Sequence, residues 1–165
     1  MTIEAPFTGY RDSVRPEWID YNGHMNVAYY VLAFDFAVDA FMDFLGLDRA
    51  YREKSGNSTF AVEAHVTYRR EVLAGAPLLF ESLLLAHDDK RLRQFQRMRH
   101  AEEGFLAATC EWLTLHVDLA ARRVTPFPPH ILARLDEVAA AHRRLPPPPE
   151  AGEAISRPPL AANAP

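Results

Sequence analysis

The sequence predicts an α+β fold in which one antiparallel sheet wraps around a single long buried helix. An apolar pattern with the period of a helix runs from Asn26 to Leu45, and four segments after Gly56 have the composition of β-strands. Short polar turns join these strands, which favours antiparallel neighbours. Because no other part of the chain can bury so apolar a helix, the sheet must cover it.

The elements follow in a simple order. A strand is predicted at residues 9–14, a polar loop at residues 20–26 and the long helix at residues 26–45. The helix places apolar residues three and four positions apart on one face, with Asn26 at its N-cap and Gly46 at its C-cap. Four strands are then predicted at residues 60–69, 78–86, 91–100 and 105–117.

Proline divides the end of the chain from the rest. Of the 13 prolines, ten lie at or after Pro126, and proline removes a backbone donor and fixes φ. A short helix with an apolar stripe is predicted at residues 128–144, between two proline clusters. We predict one domain over residues 1–145, followed by a proline-rich mobile tail over residues 146–165.

Composition limits the function classes. The chain has 165 residues and a formal net charge of −4, which suits one globular domain and gives no support to general nucleic-acid binding. Cys110 is the single cysteine, so no internal disulfide forms. No apolar run approaches the roughly 18 residues of a membrane span, and residues 1–10 do not resemble a secretory signal. We therefore expect a cytoplasmic protein that does not bind membranes.

The loop at residues 20–26 carries the clearest chemical signal. Asp20, Gly23 and His24 stand immediately before the buried helix. A carboxylate there can attack a carbonyl or activate water, and the free N–H groups of the first helical turn can hold an oxyanion. The competing interpretation of Asp20 is a loop residue that bonds its own backbone in an Asx-turn. The pattern favours acyl chemistry.

The loop and the layout resemble the hotdog-fold acyl-CoA thioesterases of the 4-hydroxybenzoyl-CoA thioesterase-like group. Members of this group carry an Asp-x-x-Gly-His-x-Asn loop and a tyrosine early in the central helix, and this chain matches at Asp20, Gly23, His24, Asn26 and Tyr30. The resemblance covers about residues 7–124. It implies a hotdog fold, hydrolysis of an acyl-CoA, assembly as a homo-dimer or tetramer, and no cofactor, since coenzyme A is part of the substrate.

The resemblance also implies roles for the loop residues. Asp20 attacks the thioester carbonyl or activates water, and the backbone N–H near Val27 polarises that carbonyl. Many relatives have an asparagine where this chain has Val27, so only the backbone can act there. His24 orients the carboxylate or shapes the loop through a backbone carbonyl, and Asn26 caps the helix or positions water.

Aromatic residues surround the start of the helix: Trp18, Tyr21, Tyr29 and Tyr30. They line an acyl pocket or pack in the core. The sequence of residues 18–26 resembles that of the thioesterases of carnitine and betaine breakdown. This resemblance implies a betainyl group held by cation–π contacts. An aryl or short apolar acyl group remains an alternative. Asp35, Asp39 and Asp43 form an acidic row on the helix, interpreted as a solvated edge or as a row of which one member reaches an active site. Some relatives use a carboxylate of the central helix instead of the loop, so the resemblance makes Asp35 and Asp39 the alternatives to Asp20.

Other charged residues leave two interpretations open. Arg91 and Arg93 share a strand face with Arg97 and Arg99, and this face either meets the phosphates of coenzyme A or is a solvated sheet edge. The seven histidines are scattered and predict no metal site.

Two other functions remain: a non-catalytic hotdog protein that binds acyl-CoA, and a hotdog dehydratase that acts on a 3-hydroxyacyl thioester.

Overall fold

The structure, a computed structural model, describes residues 2–153. A single 3₁₀ turn at Pro16–Trp18 follows the first strand. The named elements, in chain order, are β1 (Phe7–Ser13), α1 (Val27–Leu45), α2 (Arg49–Ser55), β2 (Asn57–Tyr68), β3 (Pro77–His87), β4 (Arg91–His100), β5 (Leu106–Asp118), β6 (Arg123–Val124) and α3 (Pro129–His142).

The strands form one antiparallel sheet with the order β1-β3-β4-β5-β2, to which β6 adds beside β5. The sheet curls around α1, which confirms the predicted α+β hotdog fold. β1 and β2 are the two edge strands of this order, and β4 is its central strand. The face of the sheet that packs against α1 is called the inner face below, and the opposite face is the outer face.

The helix α1 begins and ends where the sequence predicted. The Asn26 side-chain oxygen accepts a hydrogen bond from the Ala28 N–H at 3.0 Å, and Gly46 ends the helix with φ of 85°. The buried stripe of α1 includes Phe34, whose ring meets Phe80 of β3 edge to face at 5.7 Å. Truncating so large a buried ring costs about 3–5 kcal/mol in comparable cores.

A second apolar cluster closes the far end of α1. Phe41 and Leu45 pack there with Leu84 of β3 and with Ile131 and Leu135 of α3. Proline occupies the first turn of α3, where its missing N–H has no intrahelical partner to lose. The short helix predicted at residues 128–144 is therefore present, and it covers the sheet where α1 ends.

The sequence missed one helix. α2 is seven residues long and has no buried residue, so it shows no apolar stripe. Its signals are local: Asp48 accepts a hydrogen bond from the Tyr51 N–H at 2.7 Å, and Gly56 ends the helix with φ of 69°. β2 starts directly afterwards at Asn57, three residues before its predicted start.

The first part of the predicted tail contacts the outer face of the sheet. Pro148 is buried, Glu150 accepts from Arg97 at 2.8 Å, and the Gly152 N–H donates to Glu111 at 2.6 Å. Residues 154–165 lie outside the described residues. The division at residue 145 and the mobility of the tail therefore remain predictions. Among the described helices, none is long and apolar enough to cross a membrane.

His142 links three elements of the core. Its Nδ1 accepts the Leu84 N–H at 2.9 Å, its Nε2 donates to the Glu4 carbonyl at 3.0 Å, and its ring stacks on Phe41 at 6.1 Å. Burial lowers the pKa of His142 below its ordinary value of 6.5, although the Glu4 carbonyl opposes that shift. The folded protein thus holds a neutral imidazole whose Nδ1 must stay unprotonated to accept.

We expect this histidine to make the fold sensitive to acid. Because the folded pKa is lowered, the unfolded chain binds more protons as the pH falls from 6.5 towards the folded pKa, and the free energy of unfolding decreases there. His142→Asn keeps an acceptor for Leu84 but cannot titrate. We expect its free energy of unfolding at pH 7.5 to be about 1–3 kcal/mol lower than that of the wild type. On acidification, this free energy should decrease less than it does in the wild type. Urea unfolding from pH 7.5 to 5.5 measures both quantities.

His130→Asn is the matched control, because His130 is exposed on α3. It should keep the wild-type pH slope. An unchanged slope in His142→Asn would show that the imidazole is not the acid-sensitive group.

Candidate active site

The loop before α1 is a compact turn held from several sides. The Asp20 N–H donates to the His24 carbonyl at 3.1 Å, and the Gly23 N–H donates to the Asp20 carbonyl at 3.0 Å. Gly23 has φ of 83°, which a residue with a side chain rarely adopts. The Met25 N–H donates to the Val72 carbonyl at 3.0 Å, so the loop is also fixed to the segment between β2 and β3.

Asp20 is half-buried and its two oxygens differ. Oδ1 accepts the Asn22 N–H at 2.8 Å, so the Asx-type turn that the sequence suggested is present. Within residues 2–153, no group bonds Oδ2. One oxygen thus holds the carboxylate in place, and the catalytic role of Asp20 stays a prediction.

His24 and Asn26 both bond the backbone. His24 Nδ1 lies 3.2 Å from the Met25 carbonyl, and the Asn26 side chain caps α1. These contacts agree with the shaping role expected for His24 and the capping role expected for Asn26. Their involvement in catalysis stays a prediction.

Val27 is the first residue of α1 and is 57% exposed. In the part of the chain that the structure describes, its N–H has no acceptor, as is usual in a first helical turn. The hydroxyl of Tyr68 donates to the Val27 carbonyl at 3.3 Å. This contact fixes the end of β2 to the start of α1. Sequence reasoning placed Tyr68 in a strand but did not select it, because the pairing of β2 with this helical turn is not local.

The structure places the four aromatic residues in three different surroundings. Trp18 is 2% exposed and stacks on Tyr29 at 5.6 Å, with the Arg15 guanidinium 4.6 Å from its ring. Tyr30 is also buried, in edge contact with Tyr68 at 5.2 Å, and burial raises the pKa of Tyr30 above its ordinary value. Tyr21 is 96% exposed. Within one chain these rings do not form a single wall, and their contact with an acyl group remains a prediction.

A strip of the inner face stays uncovered beside α1. The inner side of β2 faces the helix, yet Ala61 and Ala64 are exposed. Trp112 of β5 pairs with Ala64 and is 7% exposed, so most of its ring is covered. We name this uncovered strip the α1–β2 groove, lined on the β2 side by Ala61 and Ala64.

The arginines of β4 lie away from the loop. Tyr68, which touches Val27, pairs with Ala108, and the neighbouring end of β4 is Arg99 rather than Arg91. Arg91 therefore lies about 26 Å along the strand from that end. The structure does not bring Arg91 or Arg93 to the Asp20 loop of the same chain.

Carboxylates already pair with these arginines. Arg93 binds Glu111, Arg91 binds Asp88 at 2.6 Å, and Arg99 binds Glu81 at 3.0 Å. β4 is also the central strand, so the interpretation of this row as a sheet edge is wrong; the row lies on the outer face. Contact of Arg91 and Arg93 with coenzyme A remains a prediction.

No metal centre is found in residues 2–153, where no three His, Cys, Asp or Glu side chains are grouped to hold an ion. Cys110 is fully buried in the inner face, and burial raises the pKa of its thiol. A buried, protonated thiol is a poor nucleophile.

A family model and several known proteins match this chain. The model of the thioesterase-like superfamily matches residues 14–135. A betainyl-CoA thioesterase of Pseudomonas aeruginosa is 42% identical over 153 residues, which cover 93% of this chain and 96% of that protein.

Two further matches extend the comparison. An L-carnitine dehydrogenase/betainyl-CoA thioesterase of Agrobacterium fabrum is 40% identical over 143 residues, 85% of this chain but 28% of that protein. A Staphylococcus aureus protein solved in complex with CoA superimposes with a TM-score of 0.85 at 26% identity, covering 96% of this chain and 100% of that one. The residues matched by the family model include the Asp20 loop, α1 and the strands β2 to β6.

Proposed function

Because the chain belongs to the thioesterase-like superfamily and is an acyl-CoA thioester hydrolase, we propose that its substrate is betainyl-CoA, which it cleaves to betaine and free CoA. The observation that carries the proposal is the 42% identity to the Pseudomonas aeruginosa enzyme over 93% of this chain. The cytoplasmic location expected from the sequence belongs to the same proposal.

Asp20 supplies the catalytic carboxylate in this proposal. The thioester carbonyl oxygen binds at the Val27 N–H, where the positive end of the α1 dipole favours a developing oxyanion. The free Oδ2 of Asp20 then attacks the carbonyl carbon or takes a proton from water. The thiolate leaves without a strong general acid, because a thiol is far more acidic than an alcohol. His24 and Asn26 keep the loop and the first helical turn in this arrangement.

A panel of acyl-CoAs tests the substrate. We expect the highest kcat/KM for betainyl-CoA among betainyl, acetyl, benzoyl and long-chain acyl-CoAs, measured as thiol release with a trapping reagent. Preference for another acyl group would refute betainyl-CoA as the substrate. The assignment of the protein as a thioester hydrolase would be unaffected.

The same panel, with a 3-hydroxyacyl-CoA added, separates the two other functions. A non-catalytic binding protein would hold CoA esters and release no thiol. A dehydratase would remove water from a 3-hydroxyacyl-CoA and leave its thioester intact.

Replacing Asp20 by asparagine tests the carboxylate. The amide oxygen of the new side chain can still accept the Asn22 N–H, so the loop keeps its shape, but the amide can neither attack nor take a proton. We expect Asp20→Asn to lower kcat by about 10²–10⁴-fold with little change in thermal unfolding. The control is Glu17→Gln, an exposed acid just before the loop, which should leave kcat unchanged. Full activity in Asp20→Asn would refute the assignment.

The path of the oxygen distinguishes attack from base catalysis. If Asp20 attacks, CoA thiolate leaves and a mixed anhydride forms on Asp20; water that opens this anhydride at the Asp20 carbonyl carbon leaves ¹⁸O in the carboxylate, which mass spectrometry of the loop peptide detects after turnover in H₂¹⁸O. If Asp20 activates water, no anhydride forms and the label appears only in the released acid, so label in Asp20 identifies attack.

We also propose that two copies pair through β2. Among the residues that the structure describes, this edge strand has no neighbour on its far side, and its Phe60 and Val62 are 41% and 50% exposed. Unpaired strand edges with apolar side chains are templates for pairing with another chain. Pairing there would place the α1–β2 groove beside the partner copy.

Replacing Ala61 by lysine tests this interface. The added charge lies on the inner face of β2, where a partner would have to bury it, so we expect a shift from dimer to monomer in light scattering after gel filtration. Val124→Lys places the same charge on exposed β6 and should leave the mass unchanged. A wild-type monomer, or an unaffected Ala61→Lys dimer, would contradict pairing through β2.

A further inference from the structure

Tyr68, the last residue of β2, contacts the first turn of α1 at two points. Its hydroxyl donates to the Val27 carbonyl at 3.3 Å, and its ring meets the Tyr30 ring edge to face at 5.2 Å. Tyr30 is 4% exposed and belongs to the core, so it gives the Tyr68 ring a fixed partner. The Tyr68 hydroxyl is therefore held against the residue whose N–H is proposed to bind the oxyanion.

The peptide unit between Val27 and Ala28 is held at both ends. Its N–H, which belongs to Ala28, donates to the Asn26 side chain at 3.0 Å, and its carbonyl, which belongs to Val27, accepts from Tyr68. A carbonyl has two lone pairs, so it can accept this bond in addition to one within the helix. In the preceding peptide unit, the Val27 N–H has no acceptor among residues 2–153. Two side chains thus fix the peptide plane next to this free donor.

The backbone that carries Tyr68 is itself anchored. The Arg69 N–H donates to the Ala107 carbonyl at 2.8 Å, which ties the end of β2 to the start of β5. Four residues after Tyr68, the Val72 carbonyl accepts the Met25 N–H at 3.0 Å. The segment from Tyr68 to Val72 therefore contacts both the loop and the helix, and it gives the Tyr68 side chain a rigid base.

The Tyr68 hydroxyl keeps its proton near neutral pH. Burial of the ring raises the pKa of Tyr68 above its ordinary value of 10.0, and the nearby Cys110 thiol adds to this shift. Because a carbonyl can only accept, the bond to Val27 depends on this proton.

We propose that Tyr68 is a positioning residue for thioester hydrolysis, whose hydroxyl sets the orientation of the Val27 N–H that binds the oxyanion. The inference rests on the proposed function, since it requires the thioester carbonyl to bind at that N–H. Hydrogen-bond donors stabilise an oxyanion most when their orientation is set before the charge develops. A misplacement of about 1 Å in an active site can lower turnover by about 10²-fold. A side chain that does not touch the substrate can therefore change kcat.

Removing the hydroxyl while keeping the ring tests this role. Tyr68→Phe retains the edge contact with Tyr30 but cannot donate to the Val27 carbonyl. We expect kcat for the best substrate of the acyl-CoA panel to fall by about 3- to 30-fold, with KM changed by less than about 2-fold, because the bond orients a donor that acts mainly in the transition state. Thermal unfolding should change little, because Tyr68 is 49% exposed and water can replace its hydroxyl at the carbonyl.

Tyr51→Phe is the matched control. The Tyr51 hydroxyl also bonds a distant group, His116, with 2.8 Å between the two atoms. Thr59, which pairs with His116, precedes Tyr68 by nine residues, about 30 Å along β2, so this bond is far from the loop. We expect Tyr51→Phe to unfold at a lower temperature and to keep the wild-type kcat, which separates a loss of stability from a loss of positioning.

Hydrogen exchange gives a second readout of the same role. Backbone amides in residues 25–31 should exchange faster in Tyr68→Phe than in the wild type, because the first turn of α1 loses one of its two side-chain bonds. Mass spectrometry of peptides from this region measures the rates. The rates should be unchanged in Tyr51→Phe.

The outcomes separate this inference from the proposed function. If Asp20→Asn loses activity and Tyr68→Phe keeps the wild-type kcat, the proposed site stands and Tyr68 is not a positioning residue. A higher KM with unchanged kcat would make Tyr68 a substrate-binding residue and would also overturn the inference. If Asp20→Asn is fully active, the loop is not the site and the inference fails with it.

Discussion

The burial of α1 against the inner face of the sheet is the constraint on which the other features depend. Phe34 meets Phe80 on one side of the helix, and Tyr30 meets Tyr68 near its start. These contacts hold the first helical turn in place. This turn would otherwise fray, because its N–H groups have no acceptor within the helix. Since Met25 is bonded to Val72, the loop before α1 is held in the same frame. The positions of Asp20 and the Val27 N–H thus follow from core packing rather than from the loop alone.

The same helix leaves the sheet incompletely covered. α1 packs towards β1 and β3, so the inner side of β2 remains open. Within residues 2–153, the edge of β2 also has no partner strand. The α1–β2 groove and the edge proposed to pair with a second copy therefore lie on the same strand. A partner at β2 would exclude water from the groove, and a lower local dielectric strengthens electrostatic interactions there.

Sequence reasoning succeeded where the signal was local. The bounds of β4 at residues 91–100, the caps of α1 and the turn at Gly23 depend on residues close in the chain. It failed where the answer depends on strand order. The β4 arginines do share a face, but only the order β1-β3-β4-β5-β2 reveals that their strand is central and that its Arg91 end is far from the loop. Tyr68 and the groove escaped notice for the same reason.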